Sequence, residues 1–270
     1  MRLAIDHTTH YVFSGPVNRG MQRLRLMPKT SSGQRVLEWK MHFEGAQLQV
    51  EYEDPHCNHV ALISFNPGVH EVTIRCEGLV DTNDENGIIG RHAGFMPMWQ
   101  FVEQTDLTRT GTRVRSLLNA LGAEANPLAT LHALSRLIRE RVEYAAGHTD
   151  SATTAEAVLQ TGRGVCQDHA HVFIAAARAL GTPARYVSGY LMMDDRIDQE
   201  AGHAWAEAFV EGLGWVGFDI SNGISPDARY VRVATGRDYR DAAPVTGIRY
   251  GERDEAMHVK LAVQQQRVEQ

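Results

Sequence analysis

From residue 1 to about residue 105, apolar and polar positions alternate. Leu3, Ile5, Thr9, Tyr11 and Phe13 are spaced by polar neighbours, and Leu37, Trp39, Met41 and Phe43 interleave with Glu38, Lys40 and His42. Leu48, Val50 and Tyr52, then Val72, Ile74 and Cys76, repeat the theme. A period of two predicts strands with one buried face. Gly-Pro, Ser-Ser-Gly and Asn-Pro-Gly between the runs predict turns. Residues 1–105 therefore read as an antiparallel β-domain of about seven strands, sandwich-like in architecture.

After residue 110 the period becomes helical. Val114, Leu117, Leu118 and Leu121, closed by Gly122, form a short stripe. Asn126-Pro127 is a helix start, and Leu128, Leu131, Leu134, Ile138 and Val142 follow on one face. Thr153-Thr154-Ala155-Glu156 reads as a capping box. A further stripe runs from Cys166 through Ala170, Phe173, Ala177 and Leu180, ended by Gly181 and Pro183. The period then returns to two, with strands expected at 185–191, 203–210, 215–220, 228–234 and 257–263. Residues 110–270 are thus expected as one α+β unit of helices followed by a short antiparallel sheet.

Composition narrows the chemistry. The 270 residues carry a net charge of −6, which argues against a nucleic-acid partner. No apolar run reaches the ~20 residues of a spanning helix, so no membrane partner is expected. Arg2, Asp6, His7 and His10 interrupt the start of the chain, so a cytoplasmic location is the expectation. Three cysteines, Cys57, Cys76 and Cys166, exclude a disulfide scaffold and leave at least one thiol unpaired within the chain.

Cys166 stands where a nucleophile would be built. Gly162-Arg163-Gly164-Val165-Cys166 is a glycine-containing loop entering a helix. The first helical turn offers a thiol the positive end of the dipole and unpaired N–H groups, which favour the reactive thiolate. The same N–H groups suit an oxyanion. A thiolate needs a base, and the base an orienter. His203 begins one expected strand and Asp219 ends the next, joined by a tight turn at 211–214. Pairing around that turn sets the two roughly opposite one another.

The other candidates read more plainly. Cys166, Asp168, His169, His171 and His203 include zinc-ligand types, but residues 169 and 171 lie about 200° apart on a helix. Packed helix residues are the better reading. His56-Cys57-Asn58-His59 is expected to be a solvated loop, and Cys76 a buried strand residue. Trp205, Trp215 and Phe209 suit the core, Trp205 being the best groove candidate because it neighbours His203. Asp238 and Tyr239 suit a brace for the site or an ordinary turn equally.

Four stretches resemble the bacterial transglutaminase-like family, in order. They are residues 164–170 (GVCQDHA), 178–190 (RALGTPARYVSGY), 203–205 (HAW) and 214–219 (GWVGFD). Arg23-Leu24-Arg25-Leu26-Met27-Pro28 and Gly236-Arg237-Asp238-Tyr239 look similar to the same family, including its N-terminal β-domain. The resemblance implies a papain-like core with a Cys–His–Asp triad, here Cys166, His203 and Asp219. It also implies an aromatic residue near the oxyanion site, here Tyr144, with Gln167 and Trp205 as further oxyanion or substrate-binding positions. Ile220-Ser221 departs from the Pro-Thr frequent in the family. The implied activity is a cysteine-nucleophile amide hydrolase or acyl transferase on a peptide or protein amide, with no cofactor. A metal-dependent hydrolase and a catalytically silent interaction module are the alternatives.

Overall fold

A computed structural model describes residues 1–250 and 254–266. The first half forms β1 (Arg2–Val17), β2 (Arg19–Leu24), β3 (Gln34–Glu44), β4 (Ala46–Glu53), β5 (His59–Phe65), β6 (Val69–Thr82) and β7 (Ile88–Gly90). Next come α1 (Thr112–Asn119), α2 (Pro127–Arg141), β8 (Glu143–Tyr144), α3 (Ala155–Thr161), β9 (Arg163–Gly164) and α4 (Cys166–Ala179). The chain continues through β10 (Ala184–Leu191), β11 (Asp198–Gln199), β12 (His203–Val210), β13 (Gly214–Phe218) and β14 (Tyr230–Gly236). It closes with α5 (Tyr239–Ala242), β15 (Val245–Tyr250) and β16 (Glu255–Gln265).

The early alternation does what it predicts. β1 buries every second residue, and Tyr11, Phe13, Ile74 and Cys76 meet Leu24, Ala61, Ile63 and Phe65 in one apolar core. The sheets facing across it run β11-β16-β1-β6-β3 and β15-β2-β5-β4. A third, central sheet runs β14-β10-β12-β13-β7. Ala204, Ala206 and Ala208 on β12 pack with Ala170, Phe173 and Ala177 of α4. These small side chains let the helix lie close to the sheet.

Several expectations change. Residues 257–263 do not join the central sheet; they form most of β16, which pairs with β1 from Leu3↔Gln265 to Phe13↔Glu255. β15 likewise pairs with β2. The unit expected over 110–270 thus gives up its last strands to the sandwich from about residue 245, and residues 251–253 and 267–270 lie outside the described residues. The physical reason is an open edge. β6 covers only one side of β1, and Leu261 and Val263 bury against Leu3 and Ile5 when they cover the other. Alternation shows which face is buried, not which edge a strand will choose.

The expected capping box also splits. Thr154 caps α3, its hydroxyl accepting from Ala157 N–H at 3.3 Å. Glu156, however, caps α1: its carboxylate accepts from the N–H groups of Gly111 (2.9 Å), Val114 (2.8 Å) and Arg113 (3.1 Å). A carboxylate satisfies the unpaired donors of a helix start wherever they come within reach.

The loop expected to be solvated, 56–59, instead docks on the central sheet. Asn58 is fully buried; its amide accepts from Thr235 N–H (2.8 Å) and donates to Thr235 O (2.8 Å) and Asp54 (2.9 Å). One side chain from the sandwich thereby completes the backbone bonding of β14. Cys76 is buried, as its alternation predicts, and burial pushes its thiol up to about 12.

Candidate active site

The site is built where α4 begins. Val165 has extended backbone and Cys166 is the first helical residue. Asp168, fully buried, accepts from Val165 N–H at 2.8 Å and from the Thr149 hydroxyl at 2.6 Å. That carboxylate secures the loop-to-helix corner, and burial pushes its own pKa up. Gly164 is required here, because a Cβ would sit 2.6 Å from that of Asp168.

His203 opens β12 and faces this corner. Its Nε2 lies 2.6 Å from Asp219 Oδ2, and the ring lines one cleft with Cys166. Asp219 lies one residue past the last paired position, Ala206↔Phe218, so it reaches His203 diagonally across the hairpin rather than squarely. The carboxylate, fully buried, also accepts from Tyr230 Oη (2.7 Å), Asn222 Nδ2 (2.7 Å) and Asn222 N–H (3.2 Å).

These contacts decide the charges. Burial alone would lower His203, but the hydrogen bond to Asp219 and the nearby Cys166 outweigh it and lift the imidazole to about 10. Burial alone would raise Asp219, yet His203, Tyr230 and Asn222 hold it below the usual carboxylate range. Both shifts favour the charged pair, imidazolium beside carboxylate. A protonated imidazole gives a neighbouring sulfur a cation to face.

Tyr144 lies on the short β8, which pairs with β9 and so stands beside the cysteine loop. Its ring stacks on His169 at 6.1 Å, and its hydroxyl lies near Cys166. Burial and the nearby Cys166 and Asp219 push that hydroxyl up to about 12. Gln167 lines a cleft of about 250 Å³ together with Cys166 and His203. Its walls are largely apolar, including Tyr186, Tyr190 and Tyr239, while His7, Arg25 and Leu26 of the sandwich form part of one side.

Of the expected site residues, Cys166, Gln167 and His203 line the cleft, Asp219 and Tyr144 lie behind and beside it, and Trp205 is outside it. Trp205 is 2% exposed and packs among Val187, Leu191 and Tyr230. Strand alternation sends it to the buried side, where its ring lies 6.2 Å from that of His203. It backs the imidazole. Trp215 is fully buried as well. His169 is held by Val165 O and Val142 O at 3.0 Å each, and His171 accepts from Tyr239 N–H at 3.2 Å. Both are packed helix residues. Asp238 caps α5 through Arg240 N–H (2.8 Å), whereas Tyr239 reaches the cleft.

Sequence reasoning missed Tyr230, Asn222 and the sandwich wall. Asn222-Gly223 carried a visible turn signal, since Gly223 has φ +71° and folds Asn222 back onto Asp219. Tyr230 had none beyond its place in an expected strand.

The family model of the transglutaminase-like superfamily matches residues 115–220, and that of the bacterial transglutaminase-like N-terminal region matches residues 3–81. Uncharacterized protein ML0607 of Mycobacterium leprae is 27% identical over 93% of this chain and 94% of its own length. Uncharacterized protein Rv2569c of Mycobacterium tuberculosis is 29% identical over 92% of this chain and 88% of its own. A solved structure from Cytophaga hutchinsonii, described as a candidate cysteine protease, superposes with a TM-score of 0.79 at 22% identity. That superposition covers all of this chain and 92% of the other, and shows the same fold. No helix among the described residues is long and apolar enough to cross a membrane. With both models matching in order along one chain, this protein belongs to the transglutaminase-like superfamily and carries its bacterial N-terminal region.

Proposed function

We propose that the chain is a cysteine-nucleophile enzyme that cleaves an amide through a thioester, using Cys166, His203 and Asp219. The observation that carries this reading is the held imidazole: Asp219 grips it at 2.6 Å, and His203 lines one cleft with Cys166. The Cys166 sulfur attacks the amide carbonyl carbon, and the electron pair moves to oxygen. Unpaired N–H groups at the start of α4 stabilise that oxyanion, with the Tyr144 hydroxyl beside them. His203 gives its proton to the leaving amine nitrogen, the C–N bond breaks and a thioester remains. Water or an amine then attacks the thioester carbonyl, His203 takes up its proton, the C–S bond breaks and the Cys166 thiolate leaves. Asp219 orients the imidazole and stabilises its charged form throughout.

The substrate is a peptide or protein amide. The largely apolar cleft, walled partly by Leu26 of the sandwich, suits an apolar side chain next to the cleaved bond. Iodoacetamide labelling tests the reading: Cys166 is modified rapidly in the native protein and His203→Ala slows this at least about tenfold. Equal labelling rates in the two proteins would overturn it. A peptide panel with and without added amine then separates hydrolysis from transfer.

A further inference from the structure

A second cleft, of about 580 Å³, opens where the sandwich meets the central sheet. The 27–32 segment and the β4–β5 turn line one side, and Arg185 of β10 and Arg232 of β14 the other. Cys166 and His203 are not among its walls. Strand alternation puts Arg185 on the face of β10 opposite Tyr186, which packs with α4.

Positive charge gathers here without matching negative charge. Glu207, fully buried on β12, accepts from Arg185 (2.5 Å) and from Arg232 (2.7 and 3.1 Å). One carboxylate thus serves two guanidiniums. Lys29 Nζ adds a third basic group, donating to two uncharged acceptors, His56 O (2.6 Å) and the Thr235 hydroxyl (2.8 Å). Burial and repulsion from Arg232 and Arg185 push Lys29 well below its usual range. Asp54, the other carboxylate near it, is engaged by Arg25 at 3.0 Å. Glu53 lines the exposed rim opposite Arg91, which has no partner among the described residues.

Arg185 is the most telling member. Its side chain is only 6% exposed, its Cζ lies 3.9 Å from the Trp215 ring centroid, and Nε is committed to Glu207. Neither terminal nitrogen has a hydrogen-bond partner among the described residues. A buried guanidinium fixed on one edge and one face, with its remaining donors unmet, is a preorganised oxyanion receptor. Leaving a cluster of buried cations uncompensated is costly, and an anion in the cleft offsets that cost.

We propose that this cleft binds a small oxyanion-bearing molecule, carboxylate or phosphate, with Arg185 and Lys29 at its base and Arg91 at its mouth. The site is independent of the Cys166 chemistry. The test titrates the full chain with pyrophosphate and with citrate at fixed ionic strength, using chloride as the reference, by calorimetry and thermal melting. At least one probe binds saturably and raises the melting temperature above the chloride control. The stronger of the two tells phosphate from carboxylate. Arg91→Glu, on the exposed rim, keeps the native melt without ligand and weakens binding about tenfold. Lys29→Met weakens it also, and both variants keep the native Cys166 labelling rate. Absence of saturable binding by both probes, or binding by Arg91→Glu as tight as in the native protein, overturns the proposal.

Discussion

The sandwich and the central sheet solve the same problem, burying strands, in opposite ways. β1 of the sandwich hides alternate residues, and β4 leaves nearly every residue exposed. β10 and β13 of the central sheet are buried at every position. The difference comes from what lies on each face. α4 covers one side of the central sheet, while Leu3, Ile5, Leu261 and Val263 of the sandwich meet Tyr190, Val231 and Val233 on the other. His203 and Asp219 therefore rest on a strand pair that cannot shift without disturbing two neighbouring layers. The sandwich is part of what positions the site.

The sharpest separation of the two regions is Cys166→Ala. Amide turnover falls about 10⁴-fold or more, while the melting temperature stays within about 2 °C because one small, partly exposed atom is lost. Retained turnover would remove the cysteine from the mechanism. Asn58→Ala attacks the joint instead. It leaves the Thr235 backbone unpaired in a buried setting and lowers stability by about 2–3 kcal/mol, read as a shift in the urea midpoint. Next in size is a matched pair of truncations. Val187→Ala on the doubly covered β10 costs about 2 kcal/mol, whereas Val50→Ala on the exposed β4 stays within about 0.5 kcal/mol. Equal costs would break the comparison between the sheets.

The remaining predictions concern pH. His203 is raised from 6.5 to about 10, so its stabilising contribution is complete below pH 6.5 and is lost as pH rises through about 10. The stability gap between the native protein and His203→Ala should therefore narrow over that window. His171 has the opposite sign. Burial pushes it down to about 3, so the unfolded chain takes up a proton that the folded chain refuses, and stability falls as pH drops from 6.5 towards 3. His171→Gln should flatten the acid side of a melting profile taken from pH 3 to 10.

The sandwich strands and the position of Cys166 were legible because each depends on local pattern: alternation in one case, a glycine loop entering an apolar stripe in the other. The contact between His203 and Asp219 was legible because a short turn fixes which residues of two strands meet. What escaped was long-range. Nothing local in 257–263 distinguishes an edge of the central sheet from the free edge of β1, and nothing in Glu156 says that its carboxylate will cap a helix earlier in the chain. The burial of Trp205 outside the cleft escaped for a related reason. Being two residues from His203 puts it on the same strand face, but not at the open end where the cleft lies.

The pairing of β16 with β1 also sets an order of assembly during synthesis. β1 leaves the ribosome well ahead of its second neighbour, which is made more than two hundred residues later. At ~5–20 residues per second, that delay is on the order of 10–50 s. For all of it the outer edge of β1 is a bare template, open to any passing strand. The early half of the nascent chain thus waits for its closing strand, and this interval is where a chaperone, or an aggregation event, has its opportunity.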